Sequence, residues 1–332
     1  MLNEIKEQPS LFSQNAATWQ KEASDLLERF PYQNMVLLGR GSSGNAAVFT
    51  SYLLFQASGR HPIEFRPSGI DRNPQHADWS DSLVAAFSAS GESNEIIHAV
   101  QWLAARGAKT LAVTNGKAEC SLAKVSHATL HLGVGEELAI PATKSFCAQL
   151  VVGAALAGHD LLKVMDRICN CMSQMISGSA HLKLLDFVRH ARIATFLGYG
   201  DSVSAALDAA LKLQETVGIP STAYSIDEFF HGPLACLTCL DRVIIFYHSP
   251  KKSIDNLIIK LQAKNVPFMI VCNDVSSDQF NSAHCINIGL PEESWCATPL
   301  FAFLSQLLAY QFAVEQGKNP DRPEGLSKIT KI

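Results

Sequence analysis

The sequence predicts an α/β chain made of two tandem copies of one domain, each a parallel sheet flanked by helices. Three observations predict it. The chain has 332 residues, which suits two domains at about 100–200 residues each. Short apolar runs of strand length alternate with amphipathic stretches of helical period. The chain also repeats itself. Leu37-Leu38-Gly39-Arg40-Gly41-Ser42-Ser43 resembles Phe196-Leu197-Gly198-Tyr199-Gly200-Asp201-Ser202, an offset of 159 positions. The same offset pairs Gly59 with Gly218, Phe65 with Tyr224, Val84 with Val243, Phe87 with Phe246 and Ser90 with Ser249, a gapless agreement that marks a duplicated unit.

In chain order, residues 1–32 read as a polar helical extension and 33–158 as the first copy. Met35–Leu38 is a short apolar strand ending in a glycine turn, and Asn45–Phe55 follows as a helix. Pro62–Phe65 and the continuous apolar run Leu83–Phe87 read as strands, the latter buried on both faces. Ile96, Ile97, Val100, Leu103 and Ala104 recur at helical spacing. Leu111–Val113 and Leu130–Leu132 complete the sheet before a helix from Thr143 to Leu156. Residues 159–189 read as a connecting helix, 190–315 as the second copy, and 316–332 as a tail rich in Pro, Gly and charge.

Composition excludes several classes. Hydrophobic residues make up 47% and charged residues 17%, which excludes a disordered chain. Lys and Arg total 27 against 31 Asp and Glu, a net charge of −4 without a basic block, so nucleic acid is not an expected partner. No run of some 18 uninterrupted apolar residues marks a membrane span. The apolar segment Pro299–Val314 suits either a core helix or an oligomer contact. The N-terminus lacks a secretory signal pattern, and nine cysteines at irregular spacing suit reduced thiols and a cytoplasmic setting. Cys236 and Cys239 form one C-x-x-C without a second pair, which reads as buried free thiols ahead of a zinc or redox site. No metal or cofactor is expected.

Six segments carry candidate chemistry. Ser88-Ala89-Ser90-Gly91-Glu92-Ser93 lies where a buried strand hands over to a helix, a place where ligands bind parallel sheets. Hydroxyls at a helix N-terminus suit a phosphate; the same residues also suit a plain helix cap. Gly39-x-Gly41-x-x-Gly44 matches a dinucleotide spacing. The second copy, however, has Ser202-Val203-Ser204 where a third glycine would stand, and no acidic residue follows about 20 positions after the first-copy turn. The segment therefore reads as a polar loop whose Ser42 and Ser43 face a ligand. Asp208, Lys212 and Glu215 share one helix stripe, and spacing alone favours a solvated face. His231, before Gly232-Pro233, lies in a turn and titrates near neutrality. Lys328 sits in the tail as an ordinary surface charge. In the segment 136–144, Glu137 points to the same sheet edge and Thr143 suits a helix cap.

Taken together, the order of these segments resembles the SIS (sugar isomerase) family in its two-copy form, with flavodoxin-like doubly wound domains. The resemblance rests on S-x-S-G-E-S, on Ala142-Thr143-Lys144-Ser145-Phe146-x-Ala148-Gln149-Leu150, on Ala210-Leu211-Lys212-Leu213-x-Glu215, on His231-Gly232-Pro233-Leu234-Ala235 and on Leu326-x-Lys328. It is similar to the isomerase half of glutamine–fructose-6-phosphate amidotransferase and to stand-alone glucosamine-6-phosphate deaminases. The resemblance implies that Ser88, Ser90 and Ser93 hold a sugar phosphate. It implies that Ser42 and Ser43 approach the sugar, and that Ile140 and Ala142 line the pocket. Glu215 is the implied C1–C2 proton shuttle, with Lys212 and Asp208 as its neighbours. His231 is the implied ring-opening residue, contributed across a homodimer interface, and Lys328 contacts the carbonyl end. Ala89 replaces the glutamine usual between the two serines.

The chain begins Met1-Leu2 and its first cysteine is Cys120, so a glutaminase domain is not expected. The implied activity is therefore deamination of glucosamine 6-phosphate to fructose 6-phosphate and ammonia. An aldose–ketose isomerase and a fructosamine-6-phosphate deglycase need the same loop and base and stay open. A sugar-phosphate sensor would not need Glu215, His231 and Lys328 together.

Overall fold

The computed structural model describes residues 1–72, 77–248, 254–272, 285–289 and 293–328. Two compact units emerge. One comprises Leu11–Glu137, Lys144–Lys163 and Ser327–Ile332 and holds the first copy; the other comprises Met1–Ser10, Leu138–Thr143 and Val164–Leu326 and holds the second.

The first copy begins after α1 (Leu2–Arg29) and runs β1 (Asn34–Leu38), α2 (Gly41–Ser58), β2 (Ile63–Glu64), β3 (Ser82–Ser88), α3 (Asn94–Ala104), β4 (Lys109–Thr114), α4 (Ser121–Val125), β5 (Ala128–His131) and α5 (Lys144–Leu156). Its five strands are parallel in the order β2-β1-β3-β4-β5. All seven residues of β3 are buried, as expected of a strand covered on both faces. After α6 (Met165–Ser177) and α7 (Ala180–Val188), the second copy runs β6 (Ala194–Gly198), α8 (Val203–Thr216), β7 (Ser221–Ser225), α9 (Ile226–Phe229), β8 (Arg242–Tyr247), α10 (Asp255–Ala263), β9 (Phe268–Cys272), β10 (Cys285–Asn287) and α11 (Ala297–Glu315). Its sheet is ordered β10-β9-β8-β6-β7, the same 2-1-3-4-5 winding read from the other edge. Each sheet therefore reverses direction once, between β1 and β3 and between β6 and β8, and the crevice at such a switch point is where doubly wound sheets bind ligands.

The repeat has a steric basis. A Cβ on Gly39 would lie 2.6 Å from the Ser43 carbonyl oxygen, and one on Gly198 would lie 2.5 Å from the Ser202 carbonyl carbon. Gly41 and Gly200 take φ of 54° and 59°, and Gly59 and Gly218 take 70° and 72°. Both copies thus make the same strand-to-helix turn, and only glycine fits it without strain.

The structure corrects several expectations. The segment 160–188 holds a 3-10 turn at Leu161–Lys163 and then two helices, α6 and α7, with Gly178 and Ser179 between them. The N-terminal helix is not merely polar: Ile5, Phe12, Ala16, Trp19 and Ala23 form a buried stripe at helical period, and the Trp19 ring N–H donates to the Leu132 carbonyl at 2.9 Å. The helix after β1 starts at Gly41, so Ser42 and Ser43 occupy its first turn instead of a loop. Cys236 and Cys239 are exposed, and all nine cysteines are free thiols. One helix among the described residues, Ser294–Glu315, is long and apolar enough to cross a membrane, with 83% of its apolar window buried inside the protein. It acts as a core helix, packed on α7 and α8, with Phe301 stacked on Phe246 at 4.8 Å.

Candidate active site

In the first-copy unit, β1 and β3 are hydrogen-bonded neighbours, so their C-terminal turns share one sheet edge at the switch point. Ser42 and Ser43 stand on one turn, each 8% exposed. The other turn is the loop from Ser88 to Ser93, and it is pinned from several sides. Ser88 Oγ accepts from the Gly91 N–H and Ser90 Oγ from the Glu92 N–H, both at 3.2 Å. The Ala89 carbonyl accepts from Asn115 N–H at 3.0 Å and the Gly91 carbonyl from Leu122 N–H at 2.9 Å. Gly91 has φ +69°, and a Cβ there would lie 2.4 Å from Cys120 Sγ.

Ser93 takes the N-cap position of α3 with extended backbone, yet its side chain makes no capping bond. The plain-cap reading therefore does not account for its hydroxyl. Glu92, the one acid in the loop, accepts from the Ser121 hydroxyl at 2.6 Å and the Ser121 N–H at 3.0 Å. Those two bonds hold its carboxyl below the usual range. Arg40, between the turn glycines, pairs with Glu95 on the first turn of α3 at 2.9 Å and ties the two turns together. Sequence reasoning passed over Arg40, although its place between Gly39 and Gly41 could have flagged it.

The same unit joins Lys328 to Glu137. Glu137 lies against the start of α5, where a helix N-terminus favours negative charge. Its carboxylate accepts from the Ser145 N–H at 3.0 Å and the Ser145 hydroxyl at 2.7 Å. The Lys328 ammonium donates to the same carboxylate at 2.9 Å. Lys328 is thus an anchored cation and not a free surface charge; its side chain keeps 33% exposure while that of Glu137 keeps 3%.

In the second-copy unit, the stripe on α8 is not a solvated face. Lys212 is 0% exposed and Asp208 1%. The Lys212 ammonium donates to Glu215 Oε2 at 2.7 Å and lies 3.8 Å from Asp208 Oδ1. Glu215 keeps 22% side-chain exposure, so the pair joins a fully buried cation to a partly solvent-accessible acid. Ile140 and Ala142 are both half-buried within the segment Leu138–Thr143. Glu4 holds that segment by accepting from the N–H groups of Leu138 at 2.6 Å and Ala139 at 3.0 Å, and from the Thr143 hydroxyl at 3.3 Å. The Ile140 N–H donates to the Asp321 carbonyl at 2.9 Å. His231 stands exposed in the turn after α9, its N–H bonded to the Glu228 carbonyl at 3.0 Å.

At the switch point of the second sheet, a charge pair replaces the serine-rich edge. His248 Nε2 lies 3.0 Å from Asp201 Oδ1, and the Thr298 hydroxyl donates to Asp201 Oδ2 at 2.7 Å. Burial lowers the imidazole pKa, but the Asp201 charge and hydrogen bond outweigh it and the net shift is upward. Among the described residues no group of three or more His, Cys, Asp or Glu side chains is placed to hold a metal ion.

The two doubly wound sheets, each with its glycine turn and one carrying a serine-rich edge, define a duplicated α/β scaffold of the kind that binds small anionic ligands. The SIS domain matches residues 31–158 and 187–316, and the chain belongs to that family. It is 28% identical over 351 aligned residues to glutamine–fructose-6-phosphate aminotransferase (isomerizing) of Pyrobaculum aerophilum, covering 100% of this chain and 57% of the relative. The chain thus spans little more than half the length of the curated relatives it matches. Among solved structures, glucosamine-6-phosphate deaminase from Thermotoga maritima shares the fold with a TM-score of 0.77 at 22% identity, over 99% of this chain and 98% of the other. Tagatose-6-phosphate ketose/aldose isomerase from Escherichia coli does so with a TM-score of 0.78 at 18% identity, over 98% and 95%.

Proposed function

We propose that the chain is a phosphosugar-processing enzyme that converts glucosamine 6-phosphate and water to fructose 6-phosphate and ammonia. The observation that carries this reading is the Glu215 carboxylate, partly exposed and held at 2.7 Å by a fully buried lysine. A carboxylate that keeps solvent access while a buried ammonium fixes its position can be reached by a substrate, as a general base must be.

In this reading the phosphate sits on the hydroxyls of Ser88, Ser90 and Ser93 at the start of α3, where unpaired N–H groups favour an anion. Ser42 and Ser43 approach the sugar, and Ile140 and Ala142 line the pocket. His231, contributed by the second subunit of a homodimer, opens the ring by proton transfer. Glu215 takes the proton from C2 of the open-chain aldehyde and returns it to C1, a step general-base catalysis accelerates about 10²–10⁴-fold. Lys328 polarises the C1 carbonyl, and Lys212 orients Glu215. The resulting C2 imine takes up water and releases ammonia, leaving the C2 ketone.

Support comes from family membership, from a sequence relative named as an aminotransferase for fructose 6-phosphate, and from a structure of the same fold named as a glucosamine-6-phosphate deaminase. The test measures ammonia and fructose 6-phosphate release from glucosamine 6-phosphate by wild type and by Glu215→Gln. Release by wild type alone supports both the reaction and its base. Full turnover by the variant overturns the assignment of Glu215. Binding of the phosphosugar without ammonia release redirects the reading to an aldose–ketose isomerase or a deglycase, and the same protein is then assayed on ketose phosphates and fructosamine 6-phosphates. Binding without turnover of any of these leaves a sensor.

A further inference from the structure

β9 and β10 pair in parallel, with Cys285 in register with Ile270 and Asn287 in register with Cys272. Residues in register share a face, and so do residues two apart on one strand, so the two cysteine side chains leave the sheet on the same side. Their sulfurs lie 3.1 Å apart. Cys272 is 3% exposed and packs in the core beside Ile270 and Phe268. Cys285 is partly exposed on β10, the edge strand of its sheet. Lys183 on α7 donates to the Cys285 carbonyl at 3.0 Å, which brings a cation beside the thiol.

We propose that Cys272 and Cys285 are a redox-active dithiol that a hydroperoxide converts to an intramolecular disulfide and that thiol reductants restore. This goes beyond the sugar chemistry and does not depend on it. Cys285 is the attacking group. The hydrogen bond from Cys272 outweighs partial burial and, with the charge of Lys183, lowers its thiol to about 7, so a large thiolate fraction is present near neutrality. Cys296, by contrast, is pushed upward by burial and by the negative charges of Glu293 and Asp201.

The thiolate attacks the distal oxygen of the peroxide, the O–O bond breaks, and Cys285 becomes a sulfenic acid as alcohol or water leaves. Cys272 then attacks the Cys285 sulfur, the S–S bond forms, the S–O bond breaks, and the departing hydroxide takes the Cys272 proton as water. Two electrons leave the dithiol and the peroxide is reduced. The sulfurs must close by about 1 Å to reach a disulfide length of about 2.05 Å, and an edge strand bonded to one neighbour can shift by that much.

The experiment treats the intact protein with hydrogen peroxide, blocks remaining thiols, reduces, labels newly freed thiols with a second alkylating reagent, and maps the tryptic peptides. Cys272, Cys285 and Cys296 fall in one peptide between Lys264 and Lys318, while Cys236 and Cys239 fall in another between Lys212 and Arg242. The expected result is second-label incorporation at Cys272 and Cys285, with Cys296 blocked throughout. In Cys272→Ser, Cys285 is expected to stop at a sulfenic acid trapped by dimedone. Wild-type protein whose second label falls only on Cys236 and Cys239, or whose Cys272 and Cys285 stay fully blocked by the first reagent, overturns the proposal.

Discussion

Replacing Lys212 with methionine keeps the length of the side chain and removes the ammonium. At an effective dielectric of about 20, the contacts of 2.7 Å to Glu215 and 3.8 Å to Asp208 amount to about 6 and about 4 kcal/mol of attraction. Desolvation of the three ions offsets most of this in the intact protein. The variant loses the attraction and keeps the desolvation of Asp208, which at 1% exposure cannot rehydrate; Glu215, at 22%, can. Removing one partner of a buried pair costs about 3–5 kcal/mol, and the partial rehydration of Glu215 places Lys212→Met near the lower end, at about 3 kcal/mol. Urea unfolding followed by circular dichroism reads this. The double variant Lys212→Met with Asp208→Asn removes the buried Asp208 charge as well and is expected to recover about half of the loss. A single variant within about 0.5 kcal/mol of wild type, or a double variant no more stable than the single, would refute the reasoning.

Two further outcomes are expected. Gly91→Ala puts an alanine at φ +69° with its Cβ 2.4 Å from Cys120 Sγ, costing about 1–2 kcal/mol for the left-handed backbone and about 1–3 for overpacking; Cys120→Ala in the same chain relieves the second cost and not the first, and equal stability of the single and double variants in urea would argue against it. His248 has a raised pKa in the fold, so its pairing with Asp201 stabilises fully below about pH 6.5, the unperturbed value, and the gain is lost as pH rises through the higher folded-state value. Urea midpoints of wild type are therefore expected to fall from mildly acid to alkaline pH, and those of His248→Asn to fall less; parallel curves would count against the pair.

Strand positions were legible because buried parallel strands are continuous apolar runs: Leu83–Phe87 lies inside the observed Ser82–Ser88. The duplication was legible because the paired glycine turns keep the same offset through both copies. The misreadings have particular causes. Ser42 and Ser43 look like loop residues because Gly41, at positive φ, reads as a turn, although it opens α2. The α8 stripe looks solvated because spacing shows which residues share a face and not what covers it; α11, from the far end of the second copy, packs on α8. Cys236 and Cys239 look like core thiols by residue type alone, whereas their turn lies at the surface. Contacts such as Glu137 with Lys328, or Cys272 with Cys285, arise between elements distant in sequence or facing across a strand pair, and periodicity carries no signal for them.

The ion pair of Glu137 and Lys328 spans 191 positions of sequence. On a ribosome adding about 5–20 residues per second, the carboxylate emerges some 10–40 s before its cation, roughly. During that interval the serine-rich loop, both of its supporting strands and the start of α5 can all fold, and Glu137 already has Ser145 as a donor. The lysine arrives after every other segment of its unit, up to Lys163, has been made. Assembly of this corner is therefore a late docking event in biosynthesis, and its timing is set by translation and not by the speed of local folding.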